Sequence, residues 1–370
     1  MLATFLFPTT VLFGPGAIGE LPGRLLALGV RRPLLVTDTG LRGAAPFETV
    51  RQVLGEKAEL YWGVRPNPNE PNVEEAAQAF RAGGCDGVIA LGGGSAMDVG
   101  KALRLRVRRP EVPLGRFDPK LDWAGMAPCV TVPTTAGTGS EVGRSSVIIL
   151  NGQKSVIFHP TLLASLVILD PELTRGLPAK LTAATGADAL THCIESFTSP
   201  EFNPLCDGIA LEGLHLIADA LPRAVRDGND IDARGKMQVA AMMGGIAFQK
   251  DLGATHSLAH PLSAICGLHH GLANALCLTA VMEFNAARKP GVYARVGQAM
   301  GIQAADDAKT VLAVRSLLAE IGLATGLRAH GVSESQLDAL VDQAFADPCH
   351  RTNPVPVTRD DLYRLYRSCF

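Results

Sequence analysis

Gly87-Val-Ile-Ala-Leu91 runs directly into Gly92-Gly93-Gly94-Ser95-Ala-Met-Asp98-Val-Gly-Lys101, and the reading of this stretch decides the fold. A short apolar run bounded by turn residues reads as a buried strand of a parallel sheet. Three glycines then allow a tight turn and close approach of backbone to a ligand, and a helix follows. A helix N-terminus in that position offers free N–H groups and a positive dipole end to a phosphate. The run is neither GxGxxG nor a Walker loop, which ends in GKS or GKT. Tight turns between strand and helix also use glycine for geometry alone. Phosphate binding at Gly93, Gly94 and Ser95 is therefore one of two readings of these residues.

The same alternation extends outward on both sides. Thr4 to Phe13 reads as one or two strands, Leu21 to Leu28 as a helix, and Arg32 to Gly40 as a strand ending in Asp38. In a doubly wound sheet ligands collect at the carboxyl ends of strands. There Asp38 can accept hydrogen bonds from both ribose hydroxyls of an adenosine and repel a 2′-phosphate; an N-cap aspartate is the alternative. Ala58 to Gly63 is a further strand, Arg65 to Val73 a stiff proline-rich loop, and Val73 to Ala82 a helix. The strand Cys129–Pro133 leads into Thr134-Thr135-Ala-Gly137-Thr138-Gly139-Ser140-Glu141, whose hydroxyls can bond a nucleotide or simply make turns. Asn151-Gly152 signals a hairpin with Lys154 and His159 nearby, and Leu166–Asp170 is the last strand. Residues 1–178 are thus expected to form an α/β dinucleotide-binding domain with a mostly parallel sheet. From Ala179 the texture changes to long Ala/Leu/Met segments at helical spacing, and residues 179–370 are expected to be all-helical. Ligands commonly sit in a cleft between two such domains.

With 370 residues, 47% of them hydrophobic and 19% charged, the chain can build large cores. A net charge of −2 argues against nucleic acid or an anionic membrane as partner. The eight cysteines are scattered without a CxxC pair, as expected of buried thiols in a reducing cytoplasm. Met1 to Gly16 is apolar but has no basic leader and is broken by prolines and glycine, so neither a signal peptide nor a membrane span is expected.

Chemistry is concentrated in the helical half. Asp188 and His192, in Gly186-Ala-Asp-Ala-Leu-Thr-His192, share one helical face. His256 and His260 share another, and His269-His270 follow a loop containing Gly267. Lone histidines in helical domains are usually structural, and His215, His330 and His350 are read so. One carboxylate with several imidazoles and no thiolate is the composition of a site for Fe²⁺, Zn²⁺, Mn²⁺ or Ni²⁺. Such a metal would act as a Lewis acid on an alcohol oxygen, an uncoordinated histidine could carry the proton, and a nicotinamide could take the hydride.

Together these residues resemble the iron-containing (group III) alcohol dehydrogenase family. The resemblance is carried by Phe13-Gly-Pro-Gly16, Pro66-Asn-Pro68, Gly92-Gly-Gly-Ser95 with Asp98 and Lys101, Pro133-Thr-Thr-Ala-Gly-Thr-Gly-Ser-Glu141, Asp170-Pro171, Gly186–His192, His256-Ser-Leu-Ala-His-Pro261 and His270-Gly271. These pieces stand in family order over nearly the whole chain. The resemblance implies a Rossmann-like α/β domain followed by an all-α domain, the dehydroquinate synthase-like architecture. It implies metal ligation by Asp188, His192, His256 and His270, with His270 chosen over His269 because Gly271 follows it. It places His260 near the nicotinamide as the catalytic histidine. It places Asp38, Asn67, Gly93, Gly94, Ser95, Asp98, Thr134, Thr135, Thr138 and Lys154 against the cofactor. Fe²⁺, with Zn²⁺ or another divalent ion as alternative, NAD rather than NADP, and a homodimer or larger homo-oligomer are expected on the same basis.

The leading reading is an NAD-dependent alcohol dehydrogenase interconverting a primary alcohol and an aldehyde. A second keeps the fold and changes the substrate: a maleylacetate reductase-like or hydroxyacid–oxoacid transhydrogenase-like enzyme, for which Arg144 is a candidate anion-binding residue. A third, of another class, is a non-catalytic nucleotide- or metal-binding protein, which would bind without turnover.

Overall fold

The computed structural model of the protein describes residues 9–370, and it divides into two compact units. Among the described residues one unit is 9–135 with 139–177, and the other is 136–138 with 178–370.

In the first unit the strands are β1 (Thr10–Phe13), β2 (Pro33–Asp38), β3 (Glu59–Val64), β4 (Gly87–Gly92), β5 (Cys129–Pro133), the hairpin pair β6 (Ser145–Leu150) and β7 (Gln153–Phe158), and β8 (Leu166–Leu169). The helices are α1 (Leu21–Ala27), α2 (Ala45–Leu54), α3 (Glu70–Ala82) and α4 (Gly94–Arg108). Six strands form one sheet in the order β1-β8-β5-β4-β2-β3, and every neighbouring pair is parallel. Alternate residues along a strand enter opposite cores, as the two-residue repeat requires. Leu34, Val36 and Val88 pack with α3, α4 and the hairpin. Leu35, Ile89 and Leu91 pack with α1 and α2. Burial on both faces explains why these strands read as continuous apolar runs.

The hairpin turns at Asn151 and Gly152, with φ of 52° and 77°. Two successive positive φ values are what a two-residue hairpin with right-handed strand twist demands. The part of the expected first strand before Thr9 lies outside the described residues. α3 begins at Glu70, inside the stretch expected to be an extended loop. Asn69 caps it by accepting from the Asn72 N–H at 3.2 Å, and Pro71 falls in the first turn, where its missing N–H has no helical partner to lose. α2 has no counterpart among the expected elements.

The second unit is helical: α5 (Ala179–Thr198), α6 (Pro204–Arg226), α7 (Ile231–Ala247), α8 (Ala254–Cys266), α9 (His270–Arg288), α10 (Ala294–Ala299), α11 (Asp307–Glu320), α12 (Leu337–Ala346) and α13 (Arg359–Ser368). α5 is buried almost throughout its length. Its small residues make that possible: a Cβ added at Gly186 would stand 2.2 Å from Leu221 Cδ1 on α6. α5 forms one core with α6, α7 and α11, and α8, α9, α12 and α13 form a second. No helix of the described residues is long and apolar enough to cross a membrane.

Candidate metal centre and cofactor turns

Three helices of the second unit each contribute polar residues one turn apart. α5 carries Asp188, His192 and Glu195; α8 carries His256 and His260; α9 carries His270 and Asn274. The Nε2 atoms of His192, His256 and His270 lie 3.7, 3.8 and 3.4 Å from Asp188 Oδ1. One donor atom from each of the four residues fits within 4.8 Å of the other three. These spacings exceed an ordinary hydrogen bond. They match the edge of a tetrahedron, about 3.4 Å for metal–ligand bonds of about 2.1 Å. Gly271 shows why α9 can start so close to α5. A Cβ there would lie 2.0 Å from the Ala184 carbonyl oxygen. His270 thus enters the cluster, while His269 stays exposed at the N-cap of α9.

The electrostatics suit a divalent cation. Asp188 and Glu195 are 2% and 5% exposed, so two buried carboxylates face the imidazoles. Burial drives His192 down to about 4, which keeps its ring neutral with a lone pair to donate. Burial opposes the charge of Glu195 as well. The hydrogen bonds and charge of His256 outweigh it, so the carboxyl is held below its ordinary value and His256 above its own. Two buried carboxylates beside the neutral His192 ring are costly without compensating positive charge, and the donor set fits the metals the sequence suggested.

Sequence reasoning did not single out Glu195, Asn274 or Asp347. Glu195 Oε2 lies 2.6 Å from His256 Nδ1, so that ring turns Nε2 toward Asp188. Its oxygens also accept the N–H groups of Gly253 and Thr255 at 3.0 and 2.7 Å, which caps α8 from a neighbouring helix. Asn274 is fully buried and donates to Asp188 Oδ1 at 2.7 Å, while its own Oδ1 has no hydrogen-bond partner among the described residues. Both had a signal: Glu195 continues the Asp188–His192 face, and Asn274 follows His270 by one turn. Asp347, 87 residues from His260, had none. It bonds His260 Nδ1 at 2.7 Å, and the His260 ring lies nearly parallel to that of His270, 5.3 Å away. Burial opposes its charge, but His260 and the Cys349 N–H hold the Asp347 carboxyl well below the usual range. His260, Asp347 and Cys349 also cluster within 4.8 Å. Both Asp347 oxygens already accept hydrogen bonds, and burial pushes the Cys349 thiol far up, so this trio lacks free donors for a second metal.

In the first unit Asp38, Gly93, Gly94, Ser95, Thr134 and Thr135 lie at the carboxyl ends of the adjacent strands β2, β4 and β5. Asp38 ends β2, and its Oδ1 accepts from the Gly40 and Leu41 N–H groups at 2.8 and 3.2 Å. Its Oδ2 faces the turn after β4, 3.4 Å from where a Cβ on Gly92 would be. Gly93 is the N-cap of α4, and Gly94 and Ser95 open the helix. The Thr134 N–H donates to the Gly92 carbonyl at 2.9 Å, and Thr135 lies against Gly93, so the two turns are side by side. Asp98 turns inward: it accepts from Ser140 Oγ at 2.8 Å beside the buried Lys101 ammonium, which also donates to Ser140. Asn67 is exposed with φ 49°, and Lys154 sits on β7 opposite Ile149. Thr138 belongs to the second unit, in the segment 136–138.

Residues 8–171 match the family described as iron-containing alcohol dehydrogenase, and residues 182–370 match its C-terminal counterpart, the Fe-containing alcohol dehydrogenase family. The chain belongs to the iron-containing alcohol dehydrogenase family. It is an oxidoreductase acting on alcohols, and relatives span it from end to end. 4-Hydroxybutyrate dehydrogenase of Cupriavidus necator is 42% identical over 95% of both chains. A crystal structure of 1,3-propanediol oxidoreductase superposes with a TM-score of 0.91 at 33% identity, covering all of both chains. Sulfoacetaldehyde reductase from Bifidobacterium kashiwanohense, solved in complex with NAD+, superposes with a TM-score of 0.90 at 31% identity over 100% of this chain and 99% of that one. The iron-containing alcohol dehydrogenase assignment agrees with the α/β-plus-helical architecture and with the Asp–His₃ cluster.

Proposed function

We propose that the protein is an NAD(H)-dependent dehydrogenase of a primary alcohol and its aldehyde, with Fe²⁺ as the native metal. The observation that carries this reading is the convergence of Asp188, His192, His256 and His270 on one point from three helices. These four residues would hold the metal, which supplies a Lewis acid for the alcohol oxygen when bound. Glu195 keeps His256 in the tautomer that points Nε2 at the site. A bound nicotinamide would supply the hydride acceptor for the alcohol carbon, and His260 Nε2 would take the hydroxyl proton, leaving the aldehyde. Asp38 would accept the adenosine ribose hydroxyls, favouring NAD. The amides of Gly93, Gly94 and Ser95 at the start of α4 would take the pyrophosphate. Thr134, Thr135, Thr138, Asn67 and Lys154 would complete the cofactor site, and Asp98 would shape it from behind. The NAD+ complex of the sulfoacetaldehyde reductase supports the cofactor. A cytoplasmic homodimer is the assembly we propose.

The C. necator relative is named for a substrate that bears a carboxylate, which favours a variant of this reading with an ω-hydroxy acid as substrate. Arg144, half-buried with its guanidinium 5.1 Å from the Phe158 ring centroid, is the candidate partner for that charge.

One experiment tests the proposal. Protein purified anaerobically is analysed for metal, dialysed against a chelator, and assayed with 4-hydroxybutyrate, 1,3-propanediol and simple primary alcohols with NAD or NADP. Activity that survives complete metal removal, or the absence of turnover across the panel, would overturn it.

A further inference from the structure

Asp347 bridges three donors with a fixed division of labour. Its Oδ1 accepts from Ser257 Oγ at 2.8 Å and from the Cys349 N–H at 2.9 Å. Its Oδ2 lies 2.7 Å from His260 Nδ1 and accepts no other hydrogen bond among the described residues. The residue is only 16% exposed at its side chain, so each of these bonds is shielded from water. An ionised carboxylate only accepts, and therefore the proton between Asp347 and His260 belongs to Nδ1. That leaves the lone pair of His260 on Nε2, at the far side of a ring held flat against His270. Ser257 and His260 lie one turn apart on α8, so the carboxylate grips two successive turns of the helix that also carries the ligand His256.

We infer that Asp347 is a positioning residue: it sets the tautomer and ring orientation of His260 so that Nε2 can take the substrate proton. The inference rests on the proton-carrying role proposed for His260. Replacement by the isosteric amide makes a directional test. In Asp347→Asn the Ser257 hydroxyl and the Cys349 N–H still require an acceptor, so the amide oxygen stays at the Oδ1 position and the NH₂ group faces His260. An N–H pointing at Nδ1 selects the opposite tautomer, with the proton on Nε2 and no lone pair there.

The experiment compares the parent, Asp347→Asn, His260→Ala and the double variant, each loaded with Zn²⁺ and checked for metal content and NAD affinity. For Asp347→Asn we expect kcat for alcohol oxidation to fall by about 10–100-fold, the range typical of lost histidine-orienting carboxylates. Metal content and NAD affinity should hold. In the His260→Ala background the second substitution should cause no further loss, because residues that act as a unit are not additive. Nitrogen-15 NMR of histidine-labelled, Zn²⁺-loaded protein gives a readout that does not depend on turnover. The resonance missing in His260→Ala should report Nδ1–H in the parent and Nε2–H in Asp347→Asn. If His260→Ala loses activity but Asp347→Asn keeps its kcat and tautomer, the positioning role fails while the function stands. Multiplicative losses in the double variant would make Asp347 a scaffold residue and also overturn the inference. If His260→Ala retains full kcat, the inference and the proposed role of His260 fall together.

Discussion

Glu195→Gln separates a metal-orienting carboxylate from a mere helix cap. In the parent, three N–H groups converge on Glu195 at 2.6, 2.7 and 3.0 Å while the residue is 5% exposed. Glutamine keeps one oxygen and turns the other acceptor into a donor. Whichever way the amide is placed, it faces an N–H either at Thr255 or on the Gly253–His256 side. One buried unsatisfied donor costs about 1–3 kcal/mol, and the metal-free protein should lose that much stability. With the oxygen bonded to Thr255 instead, the NH₂ group drives the His256 proton onto Nε2, where the metal needs the lone pair. Loss of such a partner weakens metal affinity by about 10–100-fold. That is a further loss of about 1.4–2.7 kcal/mol at saturating metal. The assay pairs thermal melts with and without Zn²⁺ with a chelator-competition titration. The metal-bound variant should lose more stability than the metal-free one, by the amount set by the change in Kd. A lower melting temperature with Kd within about threefold of the parent would refute the orienting role and leave Glu195 as a cap.

Three shorter predictions follow from the same geometry. Asp38→Gly should raise kcat/KM with NADP relative to NAD, because the carboxylate that would repel a 2′-phosphate is gone; an unchanged ratio in steady-state assays counts against the ribose role. Gly271→Ala would put its Cβ 2.0 Å from the Ala184 carbonyl oxygen, so α9 must move off α5. Metal analysis should show occupancy well below the parent, and normal occupancy would contradict the close approach. Glu141 is fully buried, and burial raises its carboxyl to about 7 from 4.5. A raised pKa means the folded state holds the proton, so this contribution is fully present below about pH 4.5 and is lost as pH rises through about 7. The shift of 7 − 4.5, at about 1.36 kcal/mol per unit, corresponds to about 3 kcal/mol. Denaturant melts should therefore show Glu141→Gln gaining stability over the parent as pH climbs from 4.5 to 8, and a constant difference would refute the assignment.

The α/β alternation was legible because a sheet covered on both faces imposes continuous apolar strands, and because glycine and proline mark the turns between them. Residues 87–101 show this well: strand, turn and helix fall within one residue of the reading. The Asn151-Gly152 hairpin was equally plain, since two positive φ values select that pair. The start of α3 was misread because prolines in a first helical turn look the same in sequence as prolines in an extended loop. At the candidate metal centre Asp188 and His192, and His256 with His260, were visible as i, i+4 pairs, a regularity the helix itself creates. Glu195 obeyed the same periodicity, but a glutamate in a helix is ordinary enough to pass as surface charge. Only the fold shows it to be buried with three donors around it.

Asp347 belongs to a different category. Nothing local connects it to His260, because the contact is made by tertiary packing of the segment after α12 onto α8. The residues that supply chemistry here are carried by helical repeats and could be read from spacing. Those that tune the chemistry sit wherever the chain returns to that surface. The two imidazoles of α8 illustrate the division. His256 is oriented by Glu195, from a helix that already bears two of the proposed ligands, and is wholly buried. His260 is oriented by Asp347, from the distant C-terminal part of the chain, and its side chain keeps 27% exposure. The proposed ligand must hold still in a dry site, whereas the proposed proton carrier must exchange with solvent. The same carboxylate–imidazole device, set at two depths on one helix, serves both needs.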